Sequence, residues 1–271
     1  MKKLLFGLTI LLLTACGDKV SKNSNASGNA EFLWDFSKPQ TYVYDYEQTV
    51  EMRSTMGRDE PEEKSKISAK GTLKIIVKDE NQADISLSDM VINMILFDEN
   101  GPSDTVNNNA GDMVTPGMGP DGSFKDKNSE SMYSMLFPLP EKPIKPGETG
   151  ERQMQMPFNA GNIMLTISGA NKLTFKGYEN FEGRNCAVLE GAIDVSKLEL
   201  PKDAIGNYKS TTTGTGTYYF DLKNKCYVGA DVKMVSNVLM DTENFPDIDL
   251  GMFMQMYSDS VFKIRLKEIV E

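Results

Sequence analysis

Histidine is absent from all 271 residues of the sequence. Its absence excludes the usual general base near neutral pH, the Ser-His-Asp and Cys-His catalytic arrangements, and the commonest zinc sites. Phosphate-binding glycine loops and the G-x-S-x-G nucleophile motif are also missing. We therefore expect a protein that is not an enzyme and that uses no cofactor or metal. Paired carboxylates leave a carboxylate-based hydrolase as a remote alternative.

Positive charge is scarcer than negative charge. The chain has 29 lysine and arginine residues against 39 aspartate and glutamate residues, which gives a formal net charge of −10. A chain this acidic has no general electrostatic reason to bind nucleic acid. Hydrophobic residues make up 39% of the sequence and aromatic residues 9%, which is enough to build a substantial core. The length suits one large β domain or two small domains.

Long hydrophobic runs are also lacking, apart from a short one at the N-terminus. Lys2 and Lys3 precede about ten apolar residues, fewer than the ~20 that a membrane-spanning helix needs. The segment Leu13-Thr14-Ala15-Cys16 follows and resembles the lipobox of bacterial lipoproteins. This resemblance implies that residues 1–15 are a signal peptide cut by the lipoprotein signal peptidase. It also implies that Cys16 becomes the acylated N-terminus, carrying fatty acyl chains such as palmitate.

The residues after Cys16 are small and polar, so they cannot bury apolar surface. We expect residues 16–38 to comprise the lipidated cysteine and a flexible tether, with the membrane as a partner through the lipid anchor. The expected location is the cell envelope, attached to the outer membrane. The inner membrane also remains open, as do the periplasmic face and the cell surface of the outer membrane, because Asp18 followed by Lys19 gives no clear sorting signal.

Two cysteines remain after Cys16. Cys186 and Cys226 each open a predicted strand, and both would lie outside the cytoplasm, where disulfides persist. A bond between them would close a loop of about forty residues and stabilise the fold by ~3–4 kcal/mol. The alternative is two buried free thiols that behave as small hydrophobic groups.

Residues 39–271 have the pattern of a β-rich domain. Apolar and polar residues alternate in long runs, as in the stretch that contains Tyr42, Tyr44 and Tyr46. The predicted fold class is all-β and mainly antiparallel, built either as a curved sheet or half-barrel or as a β-sandwich. A faint echo between the Gly71-Thr72 and Gly216-Thr217 regions suggests two similar β halves, 39–140 and 141–271.

Glycine and proline predict several local features of this domain. Gly183 is expected to supply the positive φ of a tight turn before Cys186. Gly214 and Gly216, inside a threonine-rich strand, suggest a bulge or a bend. Residues 98–131 have the Gly, Pro, Asn and Asp content of a long surface loop.

Methionine is abundant, with 17 residues. Met154 and Met156 share one face of a predicted strand, and Met252, Met254 and Met256 share another. Clustered thioethers can bind Cu(I), but alternation with period two favours methionines on a sheet face, in a core or an apolar groove. Acidic groups such as Asp104, Asp112 and Asp121 lack calcium-binding spacing and are expected to be solvated.

The domain also resembles β-rich envelope lipoproteins of Gram-negative bacteria such as the Bacteroidetes, and loosely the half-barrel lipoprotein carriers of the LolA/LolB type. The likeness depends on the long strands, the central loop and the Lys145-Pro146-Gly147-Glu148 connector. It implies a curved sheet around an apolar cavity. We therefore expect a non-catalytic envelope lipoprotein that binds a lipid or acyl chain, or a partner protein of the envelope. A structural or surface-exposed interaction lipoprotein without a ligand cavity is the alternative.

Overall fold

The computed structural model describes residues 29–98, 100–124, 130–160, 163–200, 205–244 and 253–271. The predicted signal peptide and Cys16 lie outside these residues. The described part of the chain forms eleven strands and one short helix. In chain order these are β1 (Thr41–Met56), β2 (Glu63–Asp79), β3 (Gln82–Asp98), β4 (Gly101–Ala110), β5 (Met113–Met118), α1 (Glu130–Leu136), β6 (Thr149–Ala160), β7 (Ile163–Phe181), β8 (Arg184–Glu199), β9 (Ile205–Asp221), β10 (Cys226–Asn244) and β11 (Phe253–Val270).

All eleven strands belong to one antiparallel sheet. The order across it is β4-β3-β2-β1-β11-β10-β9-β8-β7-β6, and β5 pairs with β3 beside β4. The end strands β4 and β6 do not pair with each other, so the sheet is open. The all-β, mainly antiparallel prediction is confirmed, and of its two forms the single curved sheet is observed rather than a sandwich. Residues 39–140 contribute β1 to β5 and residues 141–271 contribute β6 to β11; their similarity as two halves stays a prediction.

Alternation along each strand gives the sheet an inner and an outer face. Tyr42, Tyr44 and Tyr46 point to the inner face and are at most 2% exposed, whereas Asp45 and Glu47 between them are exposed on the outer face. The same sorting continues on the neighbouring strands. One hydrophobic cluster therefore covers the inner face and forms the core.

Two segments fill part of this inner face and are called the plug here: residues 30–36 and residues 130–139. Trp34 is 2% exposed, and its ring centroid lies 5.3 Å from that of Tyr42 and 5.6 Å from that of Phe137. Ala30 forms a β-bridge with Ile144. The tether was expected to reach residue 38, but the structure buries Phe32, Trp34 and Phe36. Three large apolar side chains at alternate positions gain more from the core than from solvent.

Tyrosine hydroxyls attach the plug to the sheet. Tyr42 donates to the Asp35 carbonyl at 2.8 Å, Tyr218 donates to the Met135 carbonyl at 3.0 Å, and Tyr227 donates to the Pro138 carbonyl. Burial raises the pKa of Tyr218 above its usual value, so the hydroxyl keeps its proton and remains a donor. These bonds satisfy plug carbonyls that would otherwise be buried without partners.

Residues 98–131 are not one long loop. Strands β4 and β5 run along the free edge of β3, where β4 pairs with Met90–Asp98 and β5 with Ala83–Leu87. Asp89, with φ of 54°, lies on β3 between the two paired stretches. An edge strand is bonded on one side only, so it tolerates the Gly, Pro and Asn residues that predicted a loop.

Two glycine predictions have different outcomes. Gly183 has φ of 77° in the turn between β7 and β8, which confirms the tight turn. Gly214 and Gly216 do not mark a bulge. The pairing of β9 with β10 has no register shift between the Tyr219–Gly229 pair and the Gly206–Thr242 pair, and both glycines lie within this stretch. Instead the missing side chains make room for the rings and side chains of the inner face.

Candidate ligand-binding surface

The inner face beyond the plug carries a row of apolar side chains across four adjacent strands. Val50 on β1 lies opposite Ile67 on β2, Ile67 lies opposite Met94 on β3, and Met94 lies opposite Val106 on β4. Side chains at directly opposite positions have Cβ atoms about 4.5–5.5 Å apart, so these four form a continuous apolar strip.

This strip belongs to a larger surface, called the apolar patch here. Its members are apolar residues of the inner face of β1, β2 and β3 that remain only partly buried: Val50, Met52, Ile67, Ile92, Met94 and Leu96. Leu96 is 37% exposed, whereas core residues such as Leu73 are fully buried. Partly exposed apolar side chains on adjacent strands form a surface that another apolar group could cover.

Charged side chains lie at one end of the patch and not within it. Gln48, Ser65 and Ala69, which border the patch on the inner face of β1 and β2, are uncharged. The acidic residues Glu63, Asp98 and Asp104 lie on the same face beside its Met52 and Leu96 end. On the outer face of the same strands, Lys66 pairs with Glu51 at 2.8 Å and Lys70 pairs with Glu47 at 2.9 Å. The hydrogen bond from Lys70 holds the pKa of Glu47 below its usual value. The outer face of β1 and β2 therefore carries ion pairs, whereas the patch itself is uncharged.

The methionines mostly contribute to the core or to its margin. Met154 and Met254 are 1% and 2% exposed, and Met256 packs against the core while remaining partly exposed. This matches the expectation of methionines on a sheet face in a core or groove. Met56 and Met113 differ, because they are 60% and 49% exposed at the end of β1 and on the edge strand β5. The side chain of Met156 and all of Met252 lie outside the described residues.

Two open clefts are also present. A groove of about 680 Å³ is lined mainly by outer-face residues that include Lys64 and Asp259, and it reaches Met52 of the patch. The Arg53 guanidinium in this groove lies 4.5 Å from the centroid of the Tyr257 ring. A second cleft of about 640 Å³ lies at the turns that contain Asp221 and Lys223. Both are open and carry charges of both signs, so they suit a polar partner better than an acyl chain.

Cys186 and Cys226 are fully buried and are free thiols in the structure. Strand β9 separates them, since Cys226 lies opposite Asp221 on one side of β9 and Ala187 lies opposite Phe220 on the other. Two strand spacings put their Cα atoms roughly 9–10 Å apart, whereas a disulfide needs about 4.4–6.8 Å. A bond would require local rearrangement, and the disulfide stays a prediction.

The acidic groups considered in the sequence do not converge. Asp121 accepts hydrogen bonds from the Ser123 amide and hydroxyl, at 3.0 and 2.6 Å, as in a local turn. Among the described residues, no group of three or more Cys, Asp or Glu side chains could hold a metal ion. In the same part of the chain, no helix is long and apolar enough to cross a membrane.

Comparisons with known proteins give weak likenesses only. No protein-family model matches the chain, and no curated protein matches it. Three solved structures are similar: lipovitellin, in a study of its lipid–protein interactions; a DUF1329 family protein from Desulfovibrio piger ATCC 29098; and a domain from Vibrio parahaemolyticus proposed to be an outer membrane lipoprotein-sorting protein. Their TM-scores are 0.41, 0.15 and 0.13, at 12%, 11% and 11% identity.

The coverage of these likenesses differs. The lipovitellin match covers 86% of this chain but 26% of the other, so this chain spans about a quarter of that length. The other two cover 84% and 83% of this chain and 85% and 84% of theirs. Because every TM-score is below 0.5, the inference of function below depends on the geometry and the sequence.

Proposed function

We propose that the protein is a non-catalytic lipoprotein of the bacterial cell envelope that binds an acyl chain or lipid on the apolar patch. The observation that carries this proposal is the partly exposed, uncharged apolar surface on the inner face of β1, β2 and β3. The lipobox residues Leu13 to Cys16 support export and a lipid anchor, and the proposed site of attachment is the outer membrane.

The patch suits a flexible apolar ligand for energetic reasons. Covering ~200 Å² of apolar surface would contribute on the order of 5 kcal/mol before the entropic cost of binding is subtracted. Met52 and Met94 have unbranched side chains that adapt to different occupants, so the patch does not need a single ligand shape. No patch residue is charged, and the nearest acidic groups of the inner face, Asp98 and Asp104, lie at its Leu96 end, where the carboxylate of a fatty acid would not be placed.

A binding assay can use the only tryptophan of the chain. Trp34 lies in the plug on the inner face, so a fluorescent polyene fatty acid bound to the patch would accept energy from it. We expect saturable energy transfer in the intact chain. Met94→Glu places a charge within the patch at similar volume and should weaken binding at least about tenfold, since burying a charge costs several kcal/mol.

Asn93→Glu is the matched control, because Asn93 is the preceding residue of β3 and lies exposed on the outer face. It should bind the fatty acid as the unmodified chain does. Absence of saturable transfer, or equal weakening by both substitutions, would overturn lipid binding at the patch. The protein would then be better described as an interaction lipoprotein with a protein partner.

A further inference from the structure

Three methionines from distant parts of the sequence meet on adjacent strands. Met240 on β10 lies directly opposite Met254 on β11, and Met254 lies directly opposite Met56 at the end of β1. Met256 lies on the same inner face of β11, two residues further along. These four residues are called the methionine row, and they lie at the end of the sheet away from the plug.

The register brings the sulfur atoms within reach of a common centre. Directly opposite residues have Cβ atoms about 4.5–5.5 Å apart, and each methionine side chain has three rotatable bonds beyond its Cα. A small ion between Met56, Met254 and Met240 could therefore contact three thioethers. Thioethers are soft, uncharged ligands that select Cu(I) over Zn²⁺, Ca²⁺ or Mg²⁺.

Burial gives the row an interior and an opening. Met240 and Met254 are 0% and 2% exposed, whereas Met56 is 60% exposed and Met256 is partly exposed. An ion could enter past Met56 and become enclosed by the two buried side chains. Two charges nearby are paired with each other, since the Arg58 guanidinium and the Asp241 carboxylate lie 2.5 Å apart. A metal site needs both a ligand set and such an access route.

The row is separate from the thiols, which also bind Cu(I). Cys226 opens β10 and Met240 lies fourteen positions later in the same strand, roughly 45 Å away. It adjoins the apolar patch on β1, where Met56 lies four positions after Met52 on the same inner face, but no residue belongs to both. We propose that Met56, Met240, Met254 and Met256 form a thioether site for one Cu(I) ion. This inference does not depend on lipid binding.

Binding can be measured with Cu(I) under anaerobic conditions and with Ag(I) as its redox-inactive counterpart. The test protein is the full chain in detergent with Cys16→Ser, Cys186→Ala and Cys226→Ala, so that methionines are the soft ligands left. We expect one equivalent of either ion to bind. Because thioethers do not titrate, affinity should stay constant from pH 5 to pH 8, unlike that of a carboxylate or thiol site.

Substitution by leucine removes sulfur while nearly conserving volume. Met240→Leu with Met254→Leu should weaken Ag(I) binding at least about tenfold. A loss of this size is already typical when a residue that only orients a metal ligand is substituted. Met118→Leu with Met135→Leu is the matched control, because both are buried methionines outside the row, Met118 at the end of β5 and Met135 in the plug. Met56→Leu serves as a second variant whose exposed position leaves folding intact, and it should also weaken binding.

The proposal would be overturned if the protein with all three cysteines substituted did not bind Ag(I). Equal affinity in the Met240/Met254 and Met118/Met135 pairs would also overturn it, as would a pH dependence typical of carboxylates. Circular dichroism of each variant shows whether a loss of binding comes from unfolding. If the variant with both Met240→Leu and Met254→Leu does not fold, the Met56→Leu variant decides whether the methionine row binds the ion or only packs.

Discussion

Cys186 and Cys226 show how burial changes the chemistry of a side chain. Burial, together with the negative charge of Asp221, raises the pKa of both thiols to about 12. The folded state therefore holds these protons more tightly than the unfolded state, whose thiols ionise near pH 9. The resulting contribution to stability is fully present below about pH 9 and is lost as the pH rises toward 12.

This difference predicts the reactivity of the thiols. In the folded chain at pH 8, neither Cys186 nor Cys226 should react with iodoacetamide over hours, because the thiolate is the reactive form and both residues are buried. In urea without reductant, both should be labelled, as peptide mass spectrometry would show. Label on neither residue until a reductant is added would show the disulfide instead, and rapid labelling of the folded chain would contradict the burial.

At the scale of elements, strands β8 and β9 depend on glycines that face the inner side. A Cβ atom on Gly216 would lie 2.2 Å from the Tyr218 hydroxyl, and one on Gly191 would lie 2.9 Å from the Tyr218 ring. The ring of Tyr218 therefore lies across two glycines on neighbouring strands. Its hydroxyl also accepts a hydrogen bond from Asn171 at 3.1 Å and donates one to the plug.

Gly216→Ala should destabilise the protein by about 1–3 kcal/mol, because the Tyr218 ring must move and its bond to the plug is lost. The midpoint of urea unfolding measures this change. Gly111→Ala is the control, since a Cβ atom there meets nothing within 4 Å, and its effect should stay within about 0.5 kcal/mol. Equal midpoints for the two variants would contradict the packing described for Tyr218.

The alternation of apolar and polar residues predicted the long paired strands well, but it did not predict the edge strand β4 or the plug. The long strands follow from apolar residues at every second position, as with Tyr42, Tyr44 and Tyr46. Strand β4 could not be predicted, because its Asn and Asp side chains are exposed on both faces. The spacing of Phe32 and Trp34 is too short a pattern to distinguish a plug from a tether.

The candidate sites could be predicted in kind but not in position. The sequence indicated that methionines share sheet faces, and the structure agrees. It could not indicate that Met56 and Met254 are neighbours, because the pairing of β1 with β11 joins residues almost 200 positions apart. Cross-strand register depends on tertiary pairing, which local patterns do not encode.

At the scale of the whole molecule, the lipid anchor is the remaining prediction. Cys16→Ser should abolish acylation and leave residues 1–15 attached, because the thiol is the group that receives the lipid. Intact-mass spectrometry of the membrane fraction would show the unprocessed chain. Cys186→Ala is the control and should be processed and acylated normally. Normal acylation of the Cys16→Ser variant would contradict the assignment of the lipobox.

The pairing of β1 with β11 also has a consequence for folding. Nearly all other neighbours in the sheet are consecutive in sequence, but this central pair joins Thr41 to Val270. The two flanks of the sheet can form as local meanders, whereas joining them requires closure of a loop of about 200 residues or more. The sheet therefore becomes continuous only after the last strand is available, and until then β1 and β10 expose bonding edges in the middle of the molecule.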